Sequence, residues 1–205
     1  MNGSDDRSLR RQFAKQVRAR HPGLREALFA DARVTAAHRG ERADFRSRLD
    51  ALAQVVRLLW ITDAFAAQSL YRVKARLQAI GVPILPRLAH RLAMALAQVS
   101  IGDSVVLAPG IYIVHGQVVI DGITEIGTGA VIAPFVTVGL RAGNLQGPTI
   151  EPNVNIGTGA KLIGPIRVGA GATIGANSVV VDDVPPGVTV VGAPAQPRDA
   201  AATVR

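Results

Sequence analysis

A long or branched aliphatic residue returns every six positions between Ile101 and Val180. The series is interrupted by one step of seven after Ile113 and one step of twelve after Val138. A six-residue repeat is typical of a parallel β-helix, in which three units close one triangular coil. The positions predicted to stack inside that coil are Ile101, Leu107, Ile113, Ile120, Ile126, Ile132, Val138, Ile150, Ile156, Leu162, Val168, Ile174 and Val180.

The residues before the repeat have helical spacing instead. Apolar residues three and four positions apart predict a helix that begins near Asp63 and ends before Gly81 and Pro83. A second helix follows, with Pro86 in its first turn. The apolar positions of the two helices are Leu70, Val73, Leu77 and Ile80 in the first, and Ile84, Leu88, Leu92 and Leu96 in the second.

Composition divides the chain at the same place. Residues 1–98 contain 18 Lys and Arg against 8 Asp and Glu, whereas residues 99–205 contain 5 against 7. Seventeen of the 21 glycines lie after residue 98. We therefore predict an α+β chain with a helical N-terminal region at 1–98, a parallel β-helix at 99–196 and a C-terminal tail at 197–205. The six-residue series ends at Val180, and we expect residues 182–186 (DDVPP) to stop the repeat.

Several classes of function are disfavoured by the same composition. The positive charge is spread along helical patterns with few aromatic residues for base stacking, so we interpret it as solvated helix faces and expect no nucleic-acid partner. The chain has no cysteine, no apolar signal sequence at its start and no uninterrupted apolar stretch that could span a membrane. We expect a soluble cytoplasmic protein.

Candidate chemistry lies at the two irregularities of the repeat. The step of seven places His115 beside Gly116, and His115 is the only histidine of the repeat region. The step of twelve leaves Gly139–Thr149 outside the coil, which predicts an excursion loop there. A single histidine gives no set of metal ligands, so we expect no metal site.

Longer motifs resemble the serine acetyltransferase branch of the hexapeptide-repeat acyltransferases, over roughly residues 65–196. The matching segments are Tyr71-Arg72, Ile111-Tyr112-Ile113-Val114-His115-Gly116, Val136-Thr137-Val138-Gly139, Gly157-Thr158-Gly159-Ala160-Lys161-Leu162-Ile163-Gly164, Ile174-Gly175-Ala176-Asn177-Ser178-Val179-Val180, Val184-Pro185-Pro186 and Val191-Gly192-Ala193-Pro194-Ala195. The resemblance implies a left-handed β-helix and a homotrimer, which in some family members pairs into a dimer of trimers. It also implies transfer of an acetyl group from acetyl-CoA, used as a co-substrate with no permanently bound cofactor, to a hydroxyl of a small acceptor.

The resemblance also implies roles for individual residues. His115 is the expected general base, because a free hydroxyl is a poor nucleophile at neutral pH. Gly139 is a candidate for the oxyanion site. The remaining residues expected to bind CoA are Gly157, Thr158, Gly159, Ala160, Lys161, Gly175, Ala176 and Arg198, with Arg167 as a further candidate for its phosphates. Those expected to contact the acceptor are Val114, Arg141, Asn144 and Gln146.

Four positions depart from the family pattern. Val114 and Ser100 stand where serine acetyltransferases have aspartates, Gly147 where they have a loop histidine, and Gln196 where a basic residue is usual. The family's substrate-binding carboxylate in the helical region has no match either. We therefore favour a small acceptor other than serine. The alternatives are an authentic serine O-acetyltransferase of cysteine biosynthesis and a non-catalytic trimeric scaffold.

Overall fold

The computed structural model describes residues 16–198. Residues 1–15 of the predicted helical region and residues 199–205 of the predicted tail lie outside the described residues. Residues 16–20 are helical, and four helices follow: α1 (Leu24–His38), α2 (Arg48–Ile61), α3 (Asp63–Ala79) and α4 (Leu85–Ala97). The strands are β1 (Val99–Ile101), β2 (Val106–Leu107), β3 (Tyr112–Ile113), β4 (Val118–Ile120), β5 (Ile123–Ile126), β6 (Val131–Ile132), β7 (Thr137–Gly139), β8 (Gln146–Ile150), β9 (Asn155–Ile156), β10 (Lys161–Ile163), β11 (Arg167–Val168), β12 (Thr173–Ile174), β13 (Val179–Val180), β14 (Thr189–Gly192) and β15 (Ala195–Pro197).

The strands form three sheets that the chain visits in rotation. Sheet A contains β1, β4, β7, β10 and β13, sheet B contains β2, β5, β8 and β11, and sheet C contains β3, β6, β9, β12, β14 and β15. Neighbouring strands are parallel except for the closing pair β14 and β15. Each circuit through A, B and C is one coil of a left-handed parallel β-helix of about five turns, so the predicted α+β class is confirmed.

The predicted aliphatic ladders form the interior of this β-helix. All thirteen residues of the six-residue series are at most 2% exposed. Regular coils advance 18 residues, as in the pairing of Leu162 with Val180, because each holds three units of six. The first coil advances 19, from Ile101 to Ile120, and so contains the one-residue step seen in the sequence.

The excursion loop is shorter than predicted. Ile126 pairs with Ile150, an advance of 150 − 126 = 24 residues, which is six more than a regular coil. Those six are residues 140–145, which lie between β7 and β8. The predicted bounds 139–149 were too wide because Gly139 remains in β7, and residues 146–149 join β8 through an irregular register with β5.

The β-helix also continues past the segment that was expected to stop it. Val184 forms a parallel bridge with Val168, and β14 then pairs with β12, so that Ile174 faces Val190. The prediction that residues 182–186 end the repeat was wrong. Val184 follows Val180 by only four positions, so the six-residue phase is lost in the sequence while the coil itself persists.

Helix α3 closes the open end of the first coil with polar side chains. The Arg72 guanidinium is 3% exposed, binds both carboxylate oxygens of Asp31 at 2.9 and 3.2 Å, and donates to the carbonyls of Leu107 and Ala108. Asp31 accepts in turn from the backbone N–H groups of Gly110 and Ile111. Every charge and backbone group in this cluster thus has a partner, as burial requires.

Neighbouring residues of α3 repeat this pattern. Tyr71 donates to the Val105 carbonyl at 2.7 Å, and burial raises the pKa of this phenol to about 12. Gln68 donates to the carbonyl of Ile111, and the ammonium group of Lys74 donates to that of Ile101. The buried face of α3 is therefore largely polar, because it meets backbone groups that no preceding coil can satisfy.

Helix α4 has the opposite arrangement. Its predicted apolar positions, with Leu85, are between 44% and 78% exposed: Ile84, Leu85, Leu88, Leu92 and Leu96. The buried side of α4 consists of small residues instead, namely Pro86, Ala89, Ala93 and Ala97. The leucine stripe is therefore a surface of the single chain. None of the helices in residues 16–198 combines the length and apolar character needed to cross a bilayer.

Replacing Asp31 with Asn should destabilise the protein strongly. The substitution leaves the Arg72 guanidinium buried without a counter-charge, and we expect a loss of about 3–5 kcal/mol in the free energy of unfolding. Urea unfolding at a fixed protein concentration measures it. The control is Glu41→Gln, which breaks the surface pairs with Arg39 and Arg57 and should shift the midpoint far less. Equal midpoints for the two variants would contradict the role given to Asp31.

Candidate functional site

His115 lies at the corner between β3 of sheet C and β4 of sheet A, where α4 meets the first coil. A side chain at position 116 would place its Cβ only 1.8 Å from the carbonyl oxygen of Ala97, so glycine is required there. The backbone N–H of Gln117, whose φ is +63°, donates to the same oxygen at 2.8 Å. The one-residue step in the repeat is thus the place where the coil accommodates the end of α4.

The exposed imidazole of His115 lines a cavity of about 410 Å³ between the helices and the coil. The walls come from the end of α1, the junction of α2 and α3, the end of α4 and residues 112–117. Asp63 supplies a carboxylate and Arg39 a guanidinium, while Val114 contributes an apolar wall. Among the described residues lining this cavity, Asp63 and Arg39 are the only Asp, Glu, Lys or Arg side chains.

The sequence did not predict Asp63 or Arg39 as residues of the functional site. Asp63 precedes His115 by 52 positions and Arg39 precedes it by 76, and nothing in the linear pattern brings them together. Asp63 occupies the first position of α3, and Arg39 follows the end of α1, where it pairs with Glu41 at 2.9 Å. Both are carried into the cavity by the helix packing that Arg72 and Asp31 hold in place.

No residue between 16 and 198 forms a hydrogen bond with the imidazole of His115. Ser100, which aligns with the orienting aspartate of the family, lies in β1 opposite Val119. It lines a different cavity, together with Asp103 and Asp121. Ser100 is therefore not brought to the His115 cavity within one chain.

Most residues predicted to bind CoA follow the same edge of the β-helix as His115. The turn after β9 contains Gly157 and Thr158, and the turn after β12 contains Gly175 and Ala176. Strands β3, β9 and β12 all belong to sheet C, so these turns and His115 occupy one corner of successive coils. The structure thus places the histidine and a row of small residues along one continuous edge.

The residues of this row differ in whether their backbone N–H groups are available to a ligand. Gly157, Gly159 and Gly175 are required by the fold itself, since a Cβ on each would come within 2.1–2.7 Å of the neighbouring coil. Ala160 is buried, and its N–H and carbonyl are both used within the coil. Thr158 and Ala176 are exposed, and their N–H groups donate to nothing among the described residues. These two therefore remain open to a ligand.

The cations expected near the CoA phosphates are scattered. Lys161 donates to the carbonyls of Phe135 and Gly159 on the edge that carries His115. Arg167 lies in sheet B and pairs with Glu151. Arg198 follows β15, and its backbone N–H donates to the Thr189 carbonyl at 2.8 Å.

The residues of the loop occupy another edge. Gly139 ends β7 of sheet A, Arg141 and Asn144 lie in the loop, and Gln146 is the first residue of β8 in sheet B. His115 precedes the strands of sheet A, whereas the loop leaves from their far ends. A strand of three residues spans roughly 10 Å, so within one chain these two groups are separated by the width of sheet A.

Gly147, which stands at the position of the family's loop histidine, is closely packed against β5. A Cβ at this buried position would lie 2.1 Å from the hydroxyl oxygen of Thr124. The Thr124 hydroxyl in turn donates to the carbonyl of Asp121 at 2.7 Å. A larger side chain at position 147 would therefore have to displace Thr124 from this hydrogen bond. Over residues 16–198, no group of three or more Asp, Glu or His side chains is arranged to hold a metal ion.

Comparison with known proteins identifies close relatives. The family model described as bacterial transferase hexapeptide (six repeats) matches residues 147–182. A serine acetyltransferase from Synechococcus elongatus is 39% identical over 159 residues, which are 74% of this chain and 65% of the relative. One from Helicobacter pylori strain J99 is 38% identical over 62% of this chain and 75% of its own. The chain thus spans somewhat under two thirds of the length of the Synechococcus relative.

Solved structures that resemble this chain are also those of serine acetyltransferases. Soybean serine acetyltransferase complexed with serine superposes with a TM-score of 0.72 at 32% identity, over 86% of this chain and 70% of that one. A serine acetyltransferase in complex with CoA gives a TM-score of 0.67 at 29% identity, over 83% and 68% of the two chains.

Proposed function

The chain belongs to the serine acetyltransferase family, and from this premise we propose that it transfers an acetyl group from acetyl-CoA to the hydroxyl of serine. The relatives solved with serine and with CoA support both substrates. In this chain the proposal depends on one observation: His115, Asp63 and Arg39 line one cavity. We assign the reaction to the cytoplasm, in keeping with a chain without cysteine.

The proposed reaction needs one proton to be moved. His115 takes the proton of the serine hydroxyl as the oxygen attacks the thioester carbonyl carbon of acetyl-CoA. The tetrahedral intermediate then collapses, the carbon–sulfur bond breaks, and the imidazolium returns its proton to the CoA sulfur. Backbone N–H groups stabilise the oxyanion. Gly139 is the candidate for that role, and it lies on the loop edge.

Serine is favoured over an uncharged acceptor by the charges of the cavity. As a zwitterion, serine needs a carboxylate for its ammonium group and a cation for its own carboxylate. Such charges are missing at Val114, Gly147 and Ser100. For that reason the sequence favours an acceptor other than serine. Asp63 and Arg39 provide the two complementary charges from the helices. We assign the serine ammonium to Asp63 and the serine carboxylate to Arg39.

CoA is proposed to lie along the edge that begins at His115. Thr158 and Ala176 offer free backbone N–H groups to the pantetheine arm. Lys161 has an ammonium group near the same edge, and Arg198 is the candidate for the phosphates at its far end.

Replacing His115 with Ala should lower kcat/KM for serine by about 10²–10⁴-fold, the usual contribution of a positioned general base. Release of the CoA thiol from acetyl-CoA measures the rate. Calorimetry of CoA should give an unchanged dissociation constant, which separates catalysis from binding. His90→Gln is the control, because His90 lies outside the cavity. A rate equal to that of the wild type would remove His115 from the mechanism and favour the non-catalytic scaffold.

Replacing Asp63 with Asn should raise KM for serine at least about tenfold, while kcat changes far less. The reason is the loss of one charge-assisted hydrogen bond made equally in the ground and transition states. KM for acetyl-CoA should stay constant. Asp44→Asn, an exposed carboxylate outside the cavity, is the matched control. An unchanged KM for serine, with faster turnover of a sugar acceptor in the same assay, would count against serine as the substrate.

The site is proposed to be completed by a second copy in a homotrimer. The loop and His115 lie on different edges of one chain, so packing around a threefold axis can place the loop edge of one copy beside the His115 edge of the next. The exposed leucine stripe of α4 offers apolar surface for contacts between copies, including the pairing of trimers.

The trimer should have a mass of about three times 21.4 kDa by light scattering. Mixed trimers test the shared site. His115→Ala and the loop variant Arg141→Glu/Asn144→Ala should each be nearly inactive alone. Refolded together, they should recover part of the activity, since some interfaces join an intact histidine to an intact loop. Failure to recover, in trimers verified to contain both chains, would place the whole site within one copy.

A further inference from the structure

A second cavity, larger than that at His115, lies among the first helices. It has a volume of about 810 Å³ and is bounded by the start of α1, the start of α2 and the end of α3. A volume of this size suits a ligand of nucleotide dimensions. None of the residues assigned to acetyl transfer lines it.

The side chains around this cavity are strongly unbalanced in charge. Among the residues that the structure describes, five arginines line it and only one carboxylate, that of Glu26, does so. None of the five guanidinium groups forms an ion pair with a residue between 16 and 198; Arg33 instead lies over the ring of Phe45, 5.4 Å from its centroid. The five residues are Arg18, Arg25, Arg33, Arg48 and Arg76.

Two of these arginines stand where a positive charge lowers stability. Arg25 is in the first turn of α1, and Arg48 is the first residue of α2. The start of a helix already has a partial positive charge, so acidic residues are favourable there and cations are not. Gly23, which precedes α1, provides no side chain to cap it. Mutual repulsion and unfavourable helix positions are both relieved if an anion occupies the cavity.

The floor of the cavity contains a further polar group. His21 lines it, and its Nδ1 atom is buried without a hydrogen-bond partner among the described residues. Burial, together with the charges of Arg72 and Lys74, lowers the pKa of His21 to about 4. The imidazole is therefore neutral at physiological pH and adds no further positive charge to the cavity.

We propose that this cavity binds a small molecule bearing two or more phosphate groups, at a site separate from the acetyl-transfer centre. Guanidinium groups bind phosphate oxygens in pairs of parallel hydrogen bonds, and five of them can neutralise several charges at once. A single carboxylate ligand would leave most of the positive charge uncompensated. The site is formed by the helical region alone, so it does not depend on the chemistry assigned to His115.

Calorimetry of the full chain with inorganic tripolyphosphate at low ionic strength tests the proposal. We expect saturable binding and a higher melting temperature at saturation. The double variant Arg25→Gln/Arg76→Gln should weaken binding at least about tenfold, because it removes two charge-assisted contacts. The control is Arg46→Gln/Arg87→Gln, which removes the same charge from exposed positions outside the cavity and should change the dissociation constant less than about twofold.

Three results would overturn the proposal. They are no saturable binding of tripolyphosphate, equal weakening of that binding in the two double variants, and binding of a single-stranded RNA alone that both double variants weaken equally. If Arg25→Gln/Arg76→Gln proves unfolded by circular dichroism, the single variant Arg48→Gln decides the question. It should then weaken tripolyphosphate binding at least about threefold, and an unchanged dissociation constant would refute the site.

Discussion

The buried ion pair between Arg72 and Asp31 is the contact on which the rest of this structure depends. A β-helix leaves unpaired backbone groups at its first coil, and here the pair and its neighbours on α3 bind them. Desolvating two charges is costly, but six hydrogen bonds to and within the pair offset that cost. Because the same contacts fix where α1 and α3 lie, they also determine the two cavities that the helices form.

The architecture of the second half was predictable because its physics is local. Each coil contacts mainly its neighbours, so a repeat of six aliphatic positions was enough to identify the buried ladders. The errors arose where that phase changes. Residues 146–149 return to a strand through an irregular register, and the segment after Val180 shortens by two residues while the coil continues. The helical half was harder, because its apolar positions do not mark its core. Helix α3 buries Gln68, Arg72 and Lys74, while α4 exposes its leucines.

The candidate site likewise contains residues that the sequence predicts and residues that it does not. The sequence pointed to His115 because the histidine stands at the step in the repeat, and the structure explains the step by the contact of Gly116 with Ala97. Asp63 and Arg39 could not have been predicted. Their place beside His115 results from tertiary packing over 52 and 76 residues, and no short motif encodes it. The sequence therefore suggested a site without the charges a zwitterion needs, whereas the folded chain supplies both from its helices.

The separation of His115 from the loop affects which parts of such a scaffold can change when its substrate specificity evolves. A triangular coil presents equivalent edges at fixed spacing, and its aliphatic ladders tolerate few changes because they are fully buried. Variation is easier at the positions outside the ladders, namely the helices above the first coil and residues 140–145. In this chain a Cβ at Gly147 would meet the hydroxyl of Thr124, and the charged groups proposed to bind serine, Asp63 and Arg39, come from the helical region. Residues on the helices can thus take over substrate recognition while the coil keeps the histidine and the edge proposed for CoA unchanged.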